Sequence, residues 1–292
     1  MMSKLFGLRP AARRQPTMIY TEPSLTNPVS QACTHAQMAE PAYDWWCTQI
    51  REGPTTHRKQ WEFCYILQAL ARSGLIAPGL KGLGFGVGEE PLSALLASRG
   101  VSILATDLEP EQAIHQGWVA TAQHACNKAS LNDRGICGTE EFERLVDFRY
   151  LNMNSIAADI RGFDFCWSAC ALEHLGSIRN GLEFIENSLQ CLRPGGVAVH
   201  TTELNCHSNE DTLDLDSTVL FRQRDFVALA KRLTKAGHEV TLNFELGQLP
   251  LDRHVDVPPY SNNNHLKLQL GKWVTTSFGV LIRKKEATWQ GQ

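Results

Sequence analysis

The chain has 292 residues, 43% of them hydrophobic and 20% charged, an ordinary globular composition with length enough for a core that needs no disulfide staples. Twenty-eight Lys and Arg against 31 Asp and Glu leave a formal charge of −3, too weak a positive field for non-specific nucleic-acid binding. No apolar run reaches the roughly 18 residues of a membrane helix, and nine scattered cysteines without a CxxC pair read as reduced thiols, so a cytoplasmic location is expected.

Residues 1–40 carry Pro10, Pro16, Pro23 and Pro28 without sustained periodicity and read as an irregular, untargeted N-terminal arm. Residues 41–78 read as a helical extension or lid. Within it Phe63, Ile66, Leu67 and Leu70 recur at i, i+3, i+4 and i+7, and Gly74 is a stop signal. Trp45, Trp46 and Trp61 fit packing there, or a lid over a ligand.

From residue 79 to 292 short strands alternate with helices. Strands are expected at 80–85, 102–106, 147–151, 163–168, 197–202, 240–244 and 274–282. Helices follow Pro91, cover the stripe Ile178, Leu182, Ile185, Leu189 and Leu192, and span 223–236. This alternation implies a mostly parallel sheet covered on both faces. The last two strands have no clear helix between them, which suits an antiparallel final strand.

The most informative segment is Gly82-Leu83-Gly84-Phe85-Gly86-Val87-Gly88-Glu89-Glu90-Pro91, between the first strand of this region and its helix. Glycines there let a ligand approach the backbone, and the next strand runs into Asp107, whose carboxylate can accept from both hydroxyls of a ribose. GxGxxG fails in either register and no GK[ST] follows, so neither a dinucleotide fingerprint nor a Walker loop is present. GxGxG fits. Glu89 and Glu90 would repel a phosphate and suit an ammonium or sulfonium ligand.

In this order the pieces resemble the class I S-adenosylmethionine-dependent methyltransferases. Gly84-Phe85-Gly86-Val87-Gly88 is similar to their first motif, Asp107 to the ribose acid and Asn152-Met153-Asn154 to the adenine contact. Phe163-Asp164-Phe165-Cys166-Trp167-Ser168 with Ala171-Leu172-Glu173-His174-Leu175 is similar to the fourth-strand motif, and Leu192-Arg193-Pro194-Gly195-Gly196 to the turn into strand five. The resemblance covers residues 78–285. It implies an α/β, Rossmann-like, seven-stranded mostly parallel sheet with helices on both faces, an enzyme, and S-adenosylmethionine as cofactor with S-adenosylhomocysteine as product. It implies cofactor contacts at Gly84, Phe85, Gly86, Gly88, Glu89, Asp107, Asn152, Met153 and Ser168. One departure stands out: the family's acid two residues before the first motif glycine is Gly82 here, and Glu89 is the acid offered in its place.

The stretches 57–64 and 252–260 also resemble methyltransferases of bacterial saccharide-biosynthesis clusters, which implies a saccharide acceptor. The polar run 260–265 leans the same way. A lipid, quinone or natural-product acceptor is the alternative within enzymes; an inactive cofactor-binding scaffold is the alternative outside them. A hydroxyl acceptor keeps its proton at neutral pH and calls for a general base. His174, Glu203, His254 and Asp256 are the candidates, the last two as a histidine oriented by a carboxylate. Glu203, His207, His254, Asp256 and His265 lack the spacing of a closed zinc site, so a divalent metal is not favoured. Asp256-Val257-Pro258-Pro259-Tyr260 superficially resembles the DPPY motif of DNA-methylating enzymes, but it lies far beyond the fourth strand, and Pro258-Pro259-Tyr260 is read as shaping the acceptor pocket or merely stiffening a loop. Residues 1–78 are left as a lid, a surface for a homo-oligomer, or both.

Overall fold

The computed structural model describes residues 15–110, 127–215, 217–261 and 265–287. At its centre β3 (Lys81–Phe85), β4 (Ser102–Asp107), β5 (Val146–Tyr150), β6 (Phe163–Ala169) and β7 (Leu192–Asn205) run parallel in the order β5-β4-β3-β6-β7. The last strand, β11 (Trp273–Arg283), lies antiparallel to β7 from Thr275↔Asn205 to Arg283↔Val197, as the missing helix before it suggested. β8 (Glu239–Asn243) pairs with β11 at Ile282↔Val240. The fold is Rossmann-like α/β.

Strand residues alternate between two faces, and each face has its own helical cover. Gly82, Gly84, Phe165, Trp167, Val197 and Val199 look toward the layer built by α1 (His35–Met38), α2 (Pro41–Gln49), α3 (Arg58–Arg72), α4 (Leu92–Ala97) and α5 (Thr139–Leu145). Leu83, Phe85, Cys166 and Ala198 look toward α6 (Ile178–Ser188) and α7 (Gln223–Lys235). Burial on both sides explains why these strands read as nearly continuous apolar runs.

The expected irregular arm takes part in the sheet. β1 (Thr17–Ile19) pairs with β8, and β2 (Ser30–Ala32) is wedged between β8 and β11 where those two strands diverge. Three-residue strands are too short to show periodicity, and Pro16, Pro23 and Pro28 lie outside them. β9 (Val255–Asp256) and β10 (Lys267–Leu270), also absent from the sequence reading, extend the sheet beside the start of β11. β7 begins earlier than expected because the turn around Gly195 (φ +76°) is absorbed as an irregularity within the strand. Trp46 and Trp61 are buried while Trp45 is half exposed, which favours packing over a lid for the first two.

α3 crosses the sheet so closely that Gly279 of β11 has no room for a side chain. A Cβ there would lie 2.2 Å from the ring of Tyr65, whose hydroxyl is fixed by donation to Val29 O at 2.7 Å and whose ring stacks on Trp61. Gly279→Ala should therefore lower the unfolding free energy by about 1–3 kcal/mol, read as a shifted urea midpoint; an unshifted midpoint would mean that α3 can lift off the sheet freely. Among the described residues no helix is long and apolar enough to cross a membrane.

Candidate active site

β3 hands over to α4 through residues 86–91, and this loop is shaped by two left-handed glycines, Gly86 (φ +56°) and Gly88 (φ +50°), a conformation cheap for glycine alone. β4 holds the loop down. Val87 N donates to Thr106 O at 3.1 Å, Gly88 N to Asp107 Oδ2 at 3.0 Å, and Thr106 Oγ1 to Gly84 O at 2.7 Å. A Cβ on Gly86 would come within 2.9 Å of Ala171 Cβ, so the backbone itself forms the wall.

Two cavities meet at this wall, at the carboxyl ends of the parallel strands, where ligands of such folds sit. The smaller, about 60 Å³, is lined by Gly86, Asp107, Asn152, Met153, Ala171 and His174. The larger, about 810 Å³, shares Gly86, Ala171 and His174 with it and continues over Gly88, Glu89 and Glu90 to α3 and β7. Together they form one elongated site with a narrow end at Asp107.

Of the residues singled out in the sequence, Gly86, Gly88, Glu89, Asp107, Asn152, Met153, His174 and Glu203 line these cavities. Gly84, Phe85 and Ser168 do not. Gly84 lies under the Trp167 ring, Phe85 packs edge-on against Phe184 in the core, and Ser168 Oγ is paired with His200 Nδ1 at 2.9 Å. These are motif positions that build the wall without facing the cavity. His254 and Asp256 also stand apart from both cavities: His254 is exposed, and Asp256 is buried with its Oδ2 3.2 Å from Nδ1 of His265. The imidazole that meets Asp256 thus comes from another part of the loop. His265 in turn lies edge-on to His57, whose Nδ1 caps α3 by accepting from Lys59 N at 3.1 Å. Burial and then His265 push His57 down to about 4, so His57 is a neutral buttress for the start of α3. Tyr260 does reach the larger cavity, as the sequence suggested.

Under the larger cavity, whose lining includes Arg58, Lys59, Cys170, Glu173 and Glu203, lies a charged cluster of which sequence reading had singled out Glu203 but not Glu62. Glu62 of α3 is fully buried and accepts four hydrogen bonds: from Ser277 Oγ (2.6 Å) and Cys170 Sγ (3.0 Å) at Oε1, and from Thr201 Oγ1 (3.0 Å) and Lys59 Nζ (3.3 Å) at Oε2. Burial alone would raise its pKa, but Lys59, Arg58 and these donors hold the carboxyl below the usual range. Glu203 pairs with Arg58 and accepts from Thr275 Oγ1 at 2.7 Å. Glu173 accepts from Thr202 Oγ1 at 3.0 Å, and burial followed by the charge of Glu203 raises its pKa. Cys170 sits between them in a left-handed conformation (φ +47°), a strain of about 1–3 kcal/mol. The ligand atoms of Cys170, Glu173 and Glu203 lie within 4.8 Å of one another, the one such group among the described residues. Arg58 already supplies the positive charge that Glu203 needs, so the arrangement reads as an acid–base cluster.

Glu90, noted in the sequence beside Glu89 but not chosen as the cofactor contact, is the acid that turns inward. It is buried in the cavity wall, accepts from Trp167 Nε1, and is pushed up to about 8, chiefly by burial. Glu89, the acid the sequence favoured, is exposed. The departure at Gly82 acquires a cause here: a Cβ at that position would stand 2.5 Å from the Phe165 ring, so no acid fits. One signal pointed to Glu62: it stands four and seven residues before Ile66 and Ala69 on the buried face of α3, where an unpaired carboxylate is excluded.

No sequence profile of a known protein family matches the chain, and no curated protein matches it. Solved structures of low identity resemble it. TehB from Haemophilus influenzae shares 17% identity over 84% of this chain and 67% of that one, with a TM-score of 0.48. A Galdieria sulphuraria protein proposed to be a sarcosine dimethylglycine methyltransferase shares 16% over 78% and 85%, also at 0.48. An S-adenosylmethionine-dependent methyltransferase from Clostridium acetobutylicum shares 12% over 78% and 92%, at 0.44. The fold assignment rests on the strand order itself.

Proposed function

We propose that this protein is an S-adenosylmethionine-dependent methyltransferase that transfers the methyl group to a hydroxyl of a saccharide or sugar-bearing intermediate. The observation that carries the reading is the glycine wall at Gly86–Gly88, joined by hydrogen bonding to Asp107 at the narrow end of the site. The ribose hydroxyls would meet the Asp107 carboxylate and the adenine would lie by Asn152 and Met153. At the other end Glu90 and Lys59, which line the same cavity, offer opposite charges to the ammonium and carboxylate of the methionyl group. The cofactor supplies an activated methyl group with a good leaving group already attached, so the protein's part is to orient the acceptor, exclude water and manage one proton.

The floor of carboxylates, hydroxyls and cations suits a polyhydroxylated acceptor. Phe63, Leu268 and Leu270 on the walls support a second reading, a small molecule with an apolar portion. The fit of Phe165 against Gly82 makes that glycine a packing choice and weakens the case for a degenerate scaffold.

Calorimetric titration tests the cofactor assignment. Micromolar binding of S-adenosylmethionine and S-adenosylhomocysteine, with none of NAD, is expected; binding of neither would sink it. The pH dependence carries a further expectation. Glu90 holds its proton in the free protein up to about pH 8, and an incoming ammonium favours its ionised form. Binding then releases a proton, and affinity should fall as pH drops below 8, by up to tenfold per unit. Glu90→Gln should abolish both the slope and the dependence of binding heat on buffer ionisation; a slope that survives in that variant would assign the proton to another group.

A further inference from the structure

We infer that Glu173 takes the proton that the acceptor hydroxyl loses as it is methylated, an inference that rests on the methyl-transfer reading above. Glu173 lines the cavity just past the end of β6, one residue before His174, and faces Glu203 of β7. The two carboxylates have opposite surroundings. Glu203 is ion-paired with Arg58 and accepts from Thr275 Oγ1. Glu173 has Thr202 as donor and His174 Nε2 at 4.0 Å as its nearest basic group. His174 Nδ1 lies 2.6 Å from Ser217 O, a carbonyl that can only accept, so the ring donates there from Nδ1 and turns Nε2 toward Glu173.

The other groups facing Glu173 act in known directions. Glu203 and burial raise its proton affinity, Lys59 and a protonated His174 lower it, and the Cys170 thiol stays protonated because burial and Glu173 itself push it up. Two carboxylates in such different surroundings divide the labour: Glu203 is held in its ion pair with Arg58, and Glu173 is left to move a proton. His174 and Glu203, the candidates from sequence, thereby become neighbours that tune the base.

The step balances. The acceptor O–H bond breaks and its proton goes to Glu173. A bond forms between that oxygen and the methyl carbon, and the carbon–sulfur bond breaks with its electron pair going to sulfur. The sulfonium charge and the Glu173 charge disappear together, leaving a neutral thioether, a methyl ether and a protonated carboxyl. Loss of two opposite charges in a buried site is favourable because each was poorly solvated there.

The test combines turnover with direct titration. Methyl transfer from S-adenosylmethionine is measured on free and nucleotide-linked hexoses by release of S-adenosylhomocysteine. Where a hexose is methylated, Glu173→Gln should lower kcat by about 10²–10⁴-fold with cofactor affinity unchanged. The rising limb of the pH–kcat profile should vanish, and Glu173→Asp should restore part of the rate. A Glu173→Gln enzyme with undiminished kcat and an intact limb overturns the proposal. Where no hexose is methylated, the saccharide reading fails, and Glu173 is judged by carbon-13 NMR of labelled glutamates in the S-adenosylhomocysteine complex. A carboxyl that titrates above the ordinary range, is missing in Glu173→Gln and moves to lower pH in Glu203→Gln supports its role. A Glu173 that titrates like an exposed glutamate overturns it.

Discussion

Replacing Asp107 with alanine is expected to weaken S-adenosylmethionine binding about a hundredfold while leaving a folded protein. The carboxylate is 2% exposed at the end of β4, and its two oxygens already receive Gly88 N at 3.0 Å and Leu108 N at 2.7 Å. A carboxylate oxygen offers two lone-pair sites, and Asp107 lines the cavity where the ribose diol would donate. Hydrogen bonds to a charged group contribute about 1.5–3 kcal/mol each, so losing two costs about 3 kcal/mol or more, which is the stated factor. Asp107→Asn keeps the shape and one acceptor oxygen, and should lose less. Loss of the anchor on Gly88 should also cost about 1 kcal/mol of stability, seen as a modest fall in Tm. A folded Asp107→Ala protein with unchanged affinity would place the ribose elsewhere and remove the main support for the cofactor reading.

What the sequence revealed and what it hid divide along chain distance. The glycine loop, Asp107 and Asn152-Met153 each follow a strand end directly, and the fold brings strand ends together at one edge, so their order in the chain is nearly their order in the site. The acid–base floor is different. Glu62 meets Thr201 across 139 residues and Ser277 across 215, pairings that exist only once β7 and β11 lie side by side beneath α3. Glu90 was noticed but passed over for Glu89, because which of two adjacent acids turns inward depends on the Trp167 indole from β6. Asp256 shows the opposite hazard. Its neighbour His254 invited a local pairing, whereas the partner in space is His265, delivered by the strand β10 that follows it. Similarly, Gly84, Phe85 and Ser168 belong to a recognisable motif, but strand alternation turns their side-chain positions into the packed layers on either side of the sheet.

Glu62→Ala should destabilise the protein by about 2–5 kcal/mol, chiefly because the buried hydroxyls of Thr201 and Ser277 lose their acceptor at about 1–3 kcal/mol each. Alanine removes the acceptor for Ser277, Thr201 and Cys170 at once and leaves Lys59 without its carboxylate, while Arg58 keeps Glu203. Glu62→Gln preserves volume but turns one acceptor oxygen into a donor amide facing other donors, so it should recover only part of the loss. The pH dependence separates charge from packing. Because the folded-state pKa of Glu62 is depressed, its contribution is present above the unfolded carboxylate pKa and is lost as pH falls through the lower folded value. Urea midpoints taken from neutral pH into the acid range should therefore converge for wild type and Glu62→Gln as the acid limb of the wild type is traversed. Parallel midpoints over that whole range would show that Glu62 acts by shape alone, and the charged floor beneath the proposed acceptor would lose its anchor.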